Sequence, residues 1–597
     1  MKLKSIPIVT ESKSSCNTLN HDQNPLVSRV DLSTPRPLRI CFPILLEGDL
    51  VMSTEHLGPA YLTAVLRSQK AECKIVEVVV KEDMEKVVQN IAAWEPDIVG
   101  LSLTTIGVKQ AVRFGEKLRH YLKKDCFILA GGPLATHHAE KLLHIPEWNF
   151  LDGLIRGEGE VPLLRFSEAY HTDRDYTHVP NLIYREEGAI KSNIMIAGLS
   201  DLEIIPEPAR DQFEMHNGKL AYLRISTSRG CTSHCTFCNA PHAKNRVGPA
   251  VKGWRGVGPQ KVIDEVERLY KKYNFNTFDF VDSTFEDPGG RPKAKERIAE
   301  IANEILKRNL HIYYNVCMQA CNWHEEDRPL INLLWRSGLE KVLVGIESGS
   351  EEGLKRWQKR STVEDNKRVI RLLREANIYV AFGFISFHPW ITFNEINENT
   401  RFLHENMGHN LRRYTVRLEL YPGSEVIEQL RQDNLLHSNY ELSLNPFAYN
   451  YQDERIKHLA AALNGLYGKE YQEDCTIKKE PSVFEFETFD IVLHTYFSRL
   501  YRLFGGNPVA KEILDSCDHE INGLKREIAN FNYNLVHHYI DLAKEDNIGK
   551  LHTEDHSETV ENYYSSMLKK LKSIEMRAGL KLHRAKFNIK EIQLKAV

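Results

Sequence analysis

The chain has 597 residues, and its 78 Lys and Arg against 81 Asp and Glu leave a formal charge of −3. With 42% hydrophobic and 27% charged residues, it has the composition of a multidomain globular protein, which argues against disorder over most of its length. Near-neutral charge removes bulk electrostatics as a route to nucleic acid or anionic membrane, and no apolar stretch reaches the ~18 residues that span a bilayer. The N-terminal MKLKSIPIVTESKSSC lacks a signal-peptide apolar core, so the expected compartment is the cytoplasm.

Residues 1–36 are polar and aperiodic and read as a flexible leader. From Leu38 the pattern alternates. Strands are expected at 38–45, 73–80, 97–103 and 126–130, with helices at 56–68, 83–94 and 108–122 between them. Continuous apolar strands separated by helices predict a parallel, doubly wound α/β sheet whose ligands sit beyond the carboxyl ends of its strands. Two strand ends carry suitable loops. DIVGLSLTT places Ser102, Thr104 and Thr105 at one, and FILAGGP places Gly131 and Gly132 at the other. Glycines there serve either a tight packing turn or close approach of backbone amides to a ligand.

Residues 171–215 read as a connector, with a hairpin in NLIYREEGAIKSN and a proline-punctuated crossing segment in LEIIPEPARDQF. A second alternating series follows, with strands expected at 222–227, 277–282, 311–316, 341–346, 378–385 and 414–420. Six such units predict a partial (β/α)6 barrel over 216–445, with chemistry at the carboxyl ends of its strands. Past this, 446–597 reads as mainly helical, with amphipathic candidates at 459–466, 491–504, 513–524 and 528–542. No motif marks this last region, and it is the expected contributor to substrate choice.

Eleven cysteines in 597 residues are too few for a disulfide framework. Three of them, Cys231, Cys235 and Cys238, fall within eight residues, in CTSHCTFC directly after the first barrel strand. Thiolates at this spacing can wrap one face of an iron–sulfur cube and leave its fourth iron open. The same spacing allows a closed zinc site that adds His242. Cys317 and Cys321, if on one strand, lie ~13 Å apart and cannot share a metal.

CTSHCTFC resembles the CxxxCxxC signature of radical S-adenosylmethionine (SAM) enzymes, with an aromatic residue before the last cysteine. FDFVDSTF (278–285), VLVGIESGS (342–350) and RLELYPGS (417–424) resemble that family's later strand motifs, in order over some 200 residues. The resemblance implies a [4Fe–4S] cluster held by Cys231, Cys235 and Cys238. It further implies SAM chelating the open iron, with Phe237 beside the adenine and Asp282 and Glu347 making polar contacts to the cofactor. FISFHPW departs from the pattern by placing Phe387 where a glycine is common. The 37–170 domain resembles the cobalamin-binding domain that precedes many such enzymes. Ser102, Thr104 and Thr105 would receive the nucleotide tail, Gly131 and Gly132 would form the adjacent turn, and RGEGE (156–160) fits the same arrangement. The DxHxxG loop of related corrinoid proteins is replaced by STEHLG (53–58), which implies cobalamin bound without a protein histidine, with His56 at a surface or helix start.

Both cofactors together imply a cobalamin-dependent radical methyltransferase of bacterial biosynthesis. It would deliver a methyl group to an unactivated carbon of a small-molecule or peptide substrate and draw electrons from a flavodoxin- or ferredoxin-type donor. The alternative keeps both cofactors but ends in ring formation, rearrangement or oxidation. An RNA methylthiotransferase fits poorly, because Cys41, Cys73 and Cys126 fall in strands and not in a second cluster loop. A zinc-bound interaction protein is the non-enzymatic alternative.

Overall fold

The structure, a computed structural model, describes residues 24–46, 54–79, 83–104, 107–217, 220–240, 253–288, 293–466, 482–547, 549 and 556–589. The first sheet contains β1 (Arg39–Leu46), β2 (Glu72–Val79), β3 (Ile98–Ser102), β4 (Phe127–Gly131), β5 (Gly153–Ile155), β6 (Leu182–Glu186) and β7 (Ala189–Ser192). Its order is β2-β1-β3-β4-β5-β6-β7, parallel through β5 and antiparallel thereafter. The order reverses between β1 and β3, which is where doubly wound sheets open a crevice for ligands. Alternate side chains feed two cores. Ile40, Phe42 and Ile44 pack with the helices Leu57–Ser68 and Glu160–His171 on one face. Cys41, Val99 and Leu101 pack with Met84–Ala93, Val108–Tyr121 and Pro133–His144 on the other.

The hairpin expected in the connector forms and continues this sheet, because its first strand pairs with β5. The leader also departs from expectation over 24–36. Leu26 and Leu32 are buried in the first core, since two leucines in a polar segment gain more by covering the sheet's flank than by remaining in water.

The second sheet has five parallel strands, β8 (Leu223–Ile225), β11 (Thr277–Phe280), β12 (Tyr313–Met318), β13 (Leu339–Glu347) and β14 (Tyr379–Phe384), in the order β14-β13-β12-β11-β8. A separate ribbon of β9 (Ser228–Gly230) and β10 (Trp254–Gly256) flanks the cysteine loop. The sixth barrel position is reduced to a single parallel bridge between Phe387 and Arg417. Phe387 is buried, its N–H donates to Val416 O, and its carbonyl accepts from Leu418 N. The bulky residue that departs from the family pattern is therefore the one that seats this segment.

The helices expected at 513–524 and 528–542 are one helix, Pro508–Lys544. No proline interrupts it, and its one glycine, Gly523, stands in open space. With Ser482–Phe504 and Ser557–Arg584 it forms a helical unit. Arg499 forms a bidentate pair with Glu340 at 2.7 and 2.8 Å, Ser498 donates to Asn377 O at 3.0 Å, and Asn532 donates to Gly408 O at 2.8 Å. Glu340 opens β13 and Asn377 precedes β14, so these contacts fall at the amino ends of the strands. That is the end opposite Asp282 and Glu347, so the helical unit braces the barrel, and its expected part in substrate choice finds no support in these contacts. No helix among the described residues is long and apolar enough to cross a membrane.

Candidate active site

The cysteine loop begins where β9 ends. Cys231 Sγ accepts from Ser233 N at 3.4 Å and from Gln319 Nε2 at 3.7 Å. Cys238 Sγ accepts from Ala240 N at 3.4 Å, and Cys238 N donates to Cys235 O at 3.1 Å. Burial pushes the Cys235 thiol up to about 11, against the pull of Lys359, and burial raises Cys238 as well. The neighbouring sulfurs add to the rise at Cys235 and Cys238, because sulfurs sharing a loop resist a shared negative charge. Such a set becomes fully thiolate only against metal charge. Among the described residues, no three His, Cys, Asp or Glu side chains close on one metal-ion position. A cube does not require that, because each thiolate takes a different iron. The all-thiol donor set and the N–H donors to two of the sulfurs fit an iron–sulfur cluster. His242, the fourth ligand of the zinc alternative, lies outside the described residues.

Thr236 anchors the loop. Its N–H donates to Trp357 O at 3.2 Å, its hydroxyl to Arg356 O at 3.2 Å, and its carbonyl accepts from Val426 N at 3.0 Å. Phe237 is half-buried, with its ring edge-on to Trp357 at 5.8 Å. Gln319 spans to a second anchor. Its Oε1 accepts from Ser233 Oγ at 3.2 Å, while its own N–H donates at 2.9 Å to Glu286, which is fully buried and also holds Asn322 at 2.9 Å. Gln319 therefore touches a cysteine sulfur, a role that the Cys–Met–Gln–Ala–Cys string did not reveal. Glu286 was not singled out at all, since nothing local separates it from a surface acid after a strand. Cys317 lies on β12, whereas Cys321 lies in the turn Ala320–Asn322, so the two do not share a strand as expected.

The two expected carboxylates differ in setting. Asp282 is buried and accepts from Thr227 N at 2.8 Å, from Ser228 N at 2.7 Å and from the Thr227 hydroxyl. Burial raises its carboxyl to about 6, and the Thr227 hydroxyl, Arg297 and the backbone N–H donors oppose the rise. It staples the end of the second barrel strand to the link between β8 and β9. Glu347 stands at the end of β13 with φ +65°, beyond a register shift that begins at Gly345. A left-handed backbone is costly for a glutamate and persists only where the surroundings impose it. Its carboxylate lies over Gly345 and Gly383, which are paired across β13 and β14; a Cβ at either would come within 2.9 or 3.1 Å of its oxygens. Among the described residues its one ion-pair partner is Lys359, at 4.0 Å. Burial pushes the Glu347 carboxyl up, with Lys359 and Arg413 opposing, and its charge bears on Cys235 and Cys238.

On the first sheet, Ser102 is exposed at the end of β3 and Thr104 is exposed just beyond it, while Thr105 lies outside the described residues. Ser102 pairs with Gly131 across the sheet, and Leu103 N donates to Gly131 O at 2.8 Å. Gly132 has φ +93°, and a Cβ there would stand 2.8 Å from Leu103 O, so only glycine fits against the neighbouring loop. A cavity of about 550 Å³ opens beside this turn, lined by Thr136, His137 and Arg156 of the first domain and by Gly423, Ser424 and Arg431 of the barrel. Of the STEHLG loop, Glu55 is buried and paired with Arg210 at 2.7 Å. His56 precedes the helix Leu57–Ser68, half-buried and lowered by burial. His388 is fully buried against Glu395 at 3.1 Å, a structural pair.

The B12 binding domain family matches residues 49–167, and the Radical SAM superfamily matches residues 225–403. The chain is a cobalamin-dependent radical SAM enzyme. The cofactors of this family are a [4Fe–4S] cluster, SAM and cobalamin. The radical SAM match begins on β8 and includes the cysteine loop and both carboxylates; the B12 match includes the serine/threonine loop and the glycine turn. The chain is 25% identical over 414 residues to an uncharacterized methyltransferase of Pyrococcus horikoshii, covering 68% of this chain and 84% of that one. It is 25% identical over 371 residues to a 4′-phospho-dehydrooxetanocin synthase of Priestia megaterium, covering 58% of this chain and 48% of the synthase. It thus spans about half of the synthase's length. Among solved structures, the cobalamin-dependent SAM radical enzyme OxsB with aqua-cobalamin and SAM bound superposes with a TM-score of 0.60 at 18% identity, over 90% of this chain and 84% of that one. At that identity the likeness is one of fold.

Proposed function

We propose that this enzyme transfers a methyl group, by way of cobalamin, to an unactivated carbon of a small-molecule or peptide substrate in bacterial biosynthesis. The reading is supported most directly by Glu347, a half-buried carboxylate in a strained backbone whose charge bears on the cysteine loop and whose ion-pair partner among the described residues, Lys359, stands 4.0 Å away. An acid so placed, largely withdrawn from water, is suited to a cationic ligand group. When bound, the cluster and SAM supply a radical that removes hydrogen from carbon, and cobalamin supplies the methyl group. Cys231, Cys235 and Cys238 would hold the cluster. Glu347 would accept from the amino group of SAM, with Phe237 against its adenine. Ser102, Thr104, Thr105, Gly131 and Gly132 would take the nucleotide tail of cobalamin. Asp282 would act at one remove, by holding the strand end from which the loop departs. The electron donor would be of flavodoxin or ferredoxin type, in the cytoplasm.

The relative named a synthase gives a second outcome, ring formation, rearrangement or oxidation without methyl transfer. The test is anaerobic reconstitution of the full chain with cobalamin and SAM carrying a labelled methyl group. Label on cobalamin, and then in product with candidate substrates, supports methyl transfer. Product without label supports the second outcome. A chain that binds no cobalamin overturns both.

A further inference from the structure

The ribbon that carries the cysteine loop places two arginines face to face. Arg229 of β9 and Arg255 of β10 are direct partners across the ladder. Like charges directly opposite on a sheet repel, and these two are largely withdrawn from water, with side chains 19% and 9% exposed. Among the described residues, no carboxylate within the ribbon neutralises them. Both carboxylates come from the other domain, from the Arg156–Glu160 stretch that leads into the helix Glu160–His171. Glu160 pairs with Arg229 at 2.7 Å. Glu158 grips Arg255, one contact being 3.0 Å, and stands 3.6 Å from Arg229. Arg229 also lies over the Tyr61 ring at 5.2 Å. Burial works against the Arg229 charge, and Glu160 and Glu158 more than offset it. The neck of the ribbon is closed tightly. Gly230 has φ +90°, and a Cβ there would meet Gly253 O at 1.5 Å. Cys231 is the next residue.

We propose that Glu158 and Glu160 are positioning residues, a clamp by which the cobalamin-binding domain holds the neck of the cysteine loop closed so that the loop is ordered for its cluster. The clamp rests on the reading of that loop as the cluster site, but its first readout does not. Hydrogen exchange of residues 228–240 is measured in the full-length, cluster-free chain. Glu158→Gln and Glu160→Gln should each speed exchange there by about tenfold. The double variant Glu158→Gln/Arg255→Gln, which removes one carboxylate together with the arginine it neutralises, should return to within about twofold of wild type. Glu160→Asp should do so in part. After anaerobic reconstitution the single variants should retain less than about half the wild-type iron, and the double variant should recover it. Unchanged exchange in both single variants, or a double variant as fast as its parent, overturns the proposal, and the recovery separates loss of the clamp from a general folding defect. If exchange behaves as expected while the wild-type chain takes up no iron, the clamp stands and the cluster reading falls.

Discussion

Two strand ends of one barrel hold acids that look alike in the sequence and differ in the fold. Asp282 closes its strand with its oxygens engaged by Thr227 and Ser228. Glu347 closes its own in a left-handed backbone, over two glycines, with Lys359 at the margin of ion-pair distance. A carboxylate with both oxygens engaged by backbone and hydroxyl donors is committed to the fold, whereas one held under strain with spare acceptor capacity is free for a ligand. The difference separates a residue that shapes the site from one that can act in it.

The comparison can be broken at four points, taken from the largest expected effect. Both acids are read around the cysteine loop, so replacing Cys231, Cys235 and Cys238 together by Ala should reduce reconstituted iron from about four per chain to almost none. Iron analysis and visible absorbance read this, and retained iron would place the cluster elsewhere. Asp282→Ala strips the acceptor from three buried donors and should lower unfolding stability by about 3 kcal/mol, read by urea denaturation. A neutral result would put Asp282 in the same class as Glu347.

The third point is pH. Burial raises Asp282 to about 6 in the folded chain, against about 3.9 when unfolded. The folded state therefore binds this proton more tightly, and the stabilisation is fully present below about pH 4 and lost as pH rises to about 6. Wild type relative to Asp282→Ser should lose on the order of 2 kcal/mol across that interval. A flat difference would mean that the donors, not burial, govern this acid. The smallest effect is expected at Glu347. Glu347→Gly relieves the positive φ and should raise stability by about 1 kcal/mol while weakening SAM binding, measured by calorimetry. A loss of stability would show that Glu347, too, serves the fold.

Much of this architecture was legible along the chain. The seven elements expected between 38 and 130 each lie within about a residue of their observed ends, because apolar strands and amphipathic helices announce themselves by period. In the helix Pro259–Tyr273, the stripe expected from spacing buries Val262, Val266 and Leu269 and leaves Tyr270 half-buried. The sixth barrel strand failed because 414–420 alternates suitably yet meets the segment after β14 through a single bridge, Arg417 to Phe387. The helical unit was read for substrate choice because its position along the chain does not tell at which end of the barrel it docks.

By itself, the sequence determined which residues had the right chemistry: three thiols at cluster spacing, two acids at strand ends, and glycines at two turns of the first sheet. Tertiary structure alone decided which acid is spent and which is spare. The donors to Asp282 lie 54 and 55 residues earlier in the chain. The two arginines at the loop's neck find their carboxylates in another domain. Hydrogen-bond satisfaction and charge pairing are properties of neighbours in space, and no local pattern encodes them.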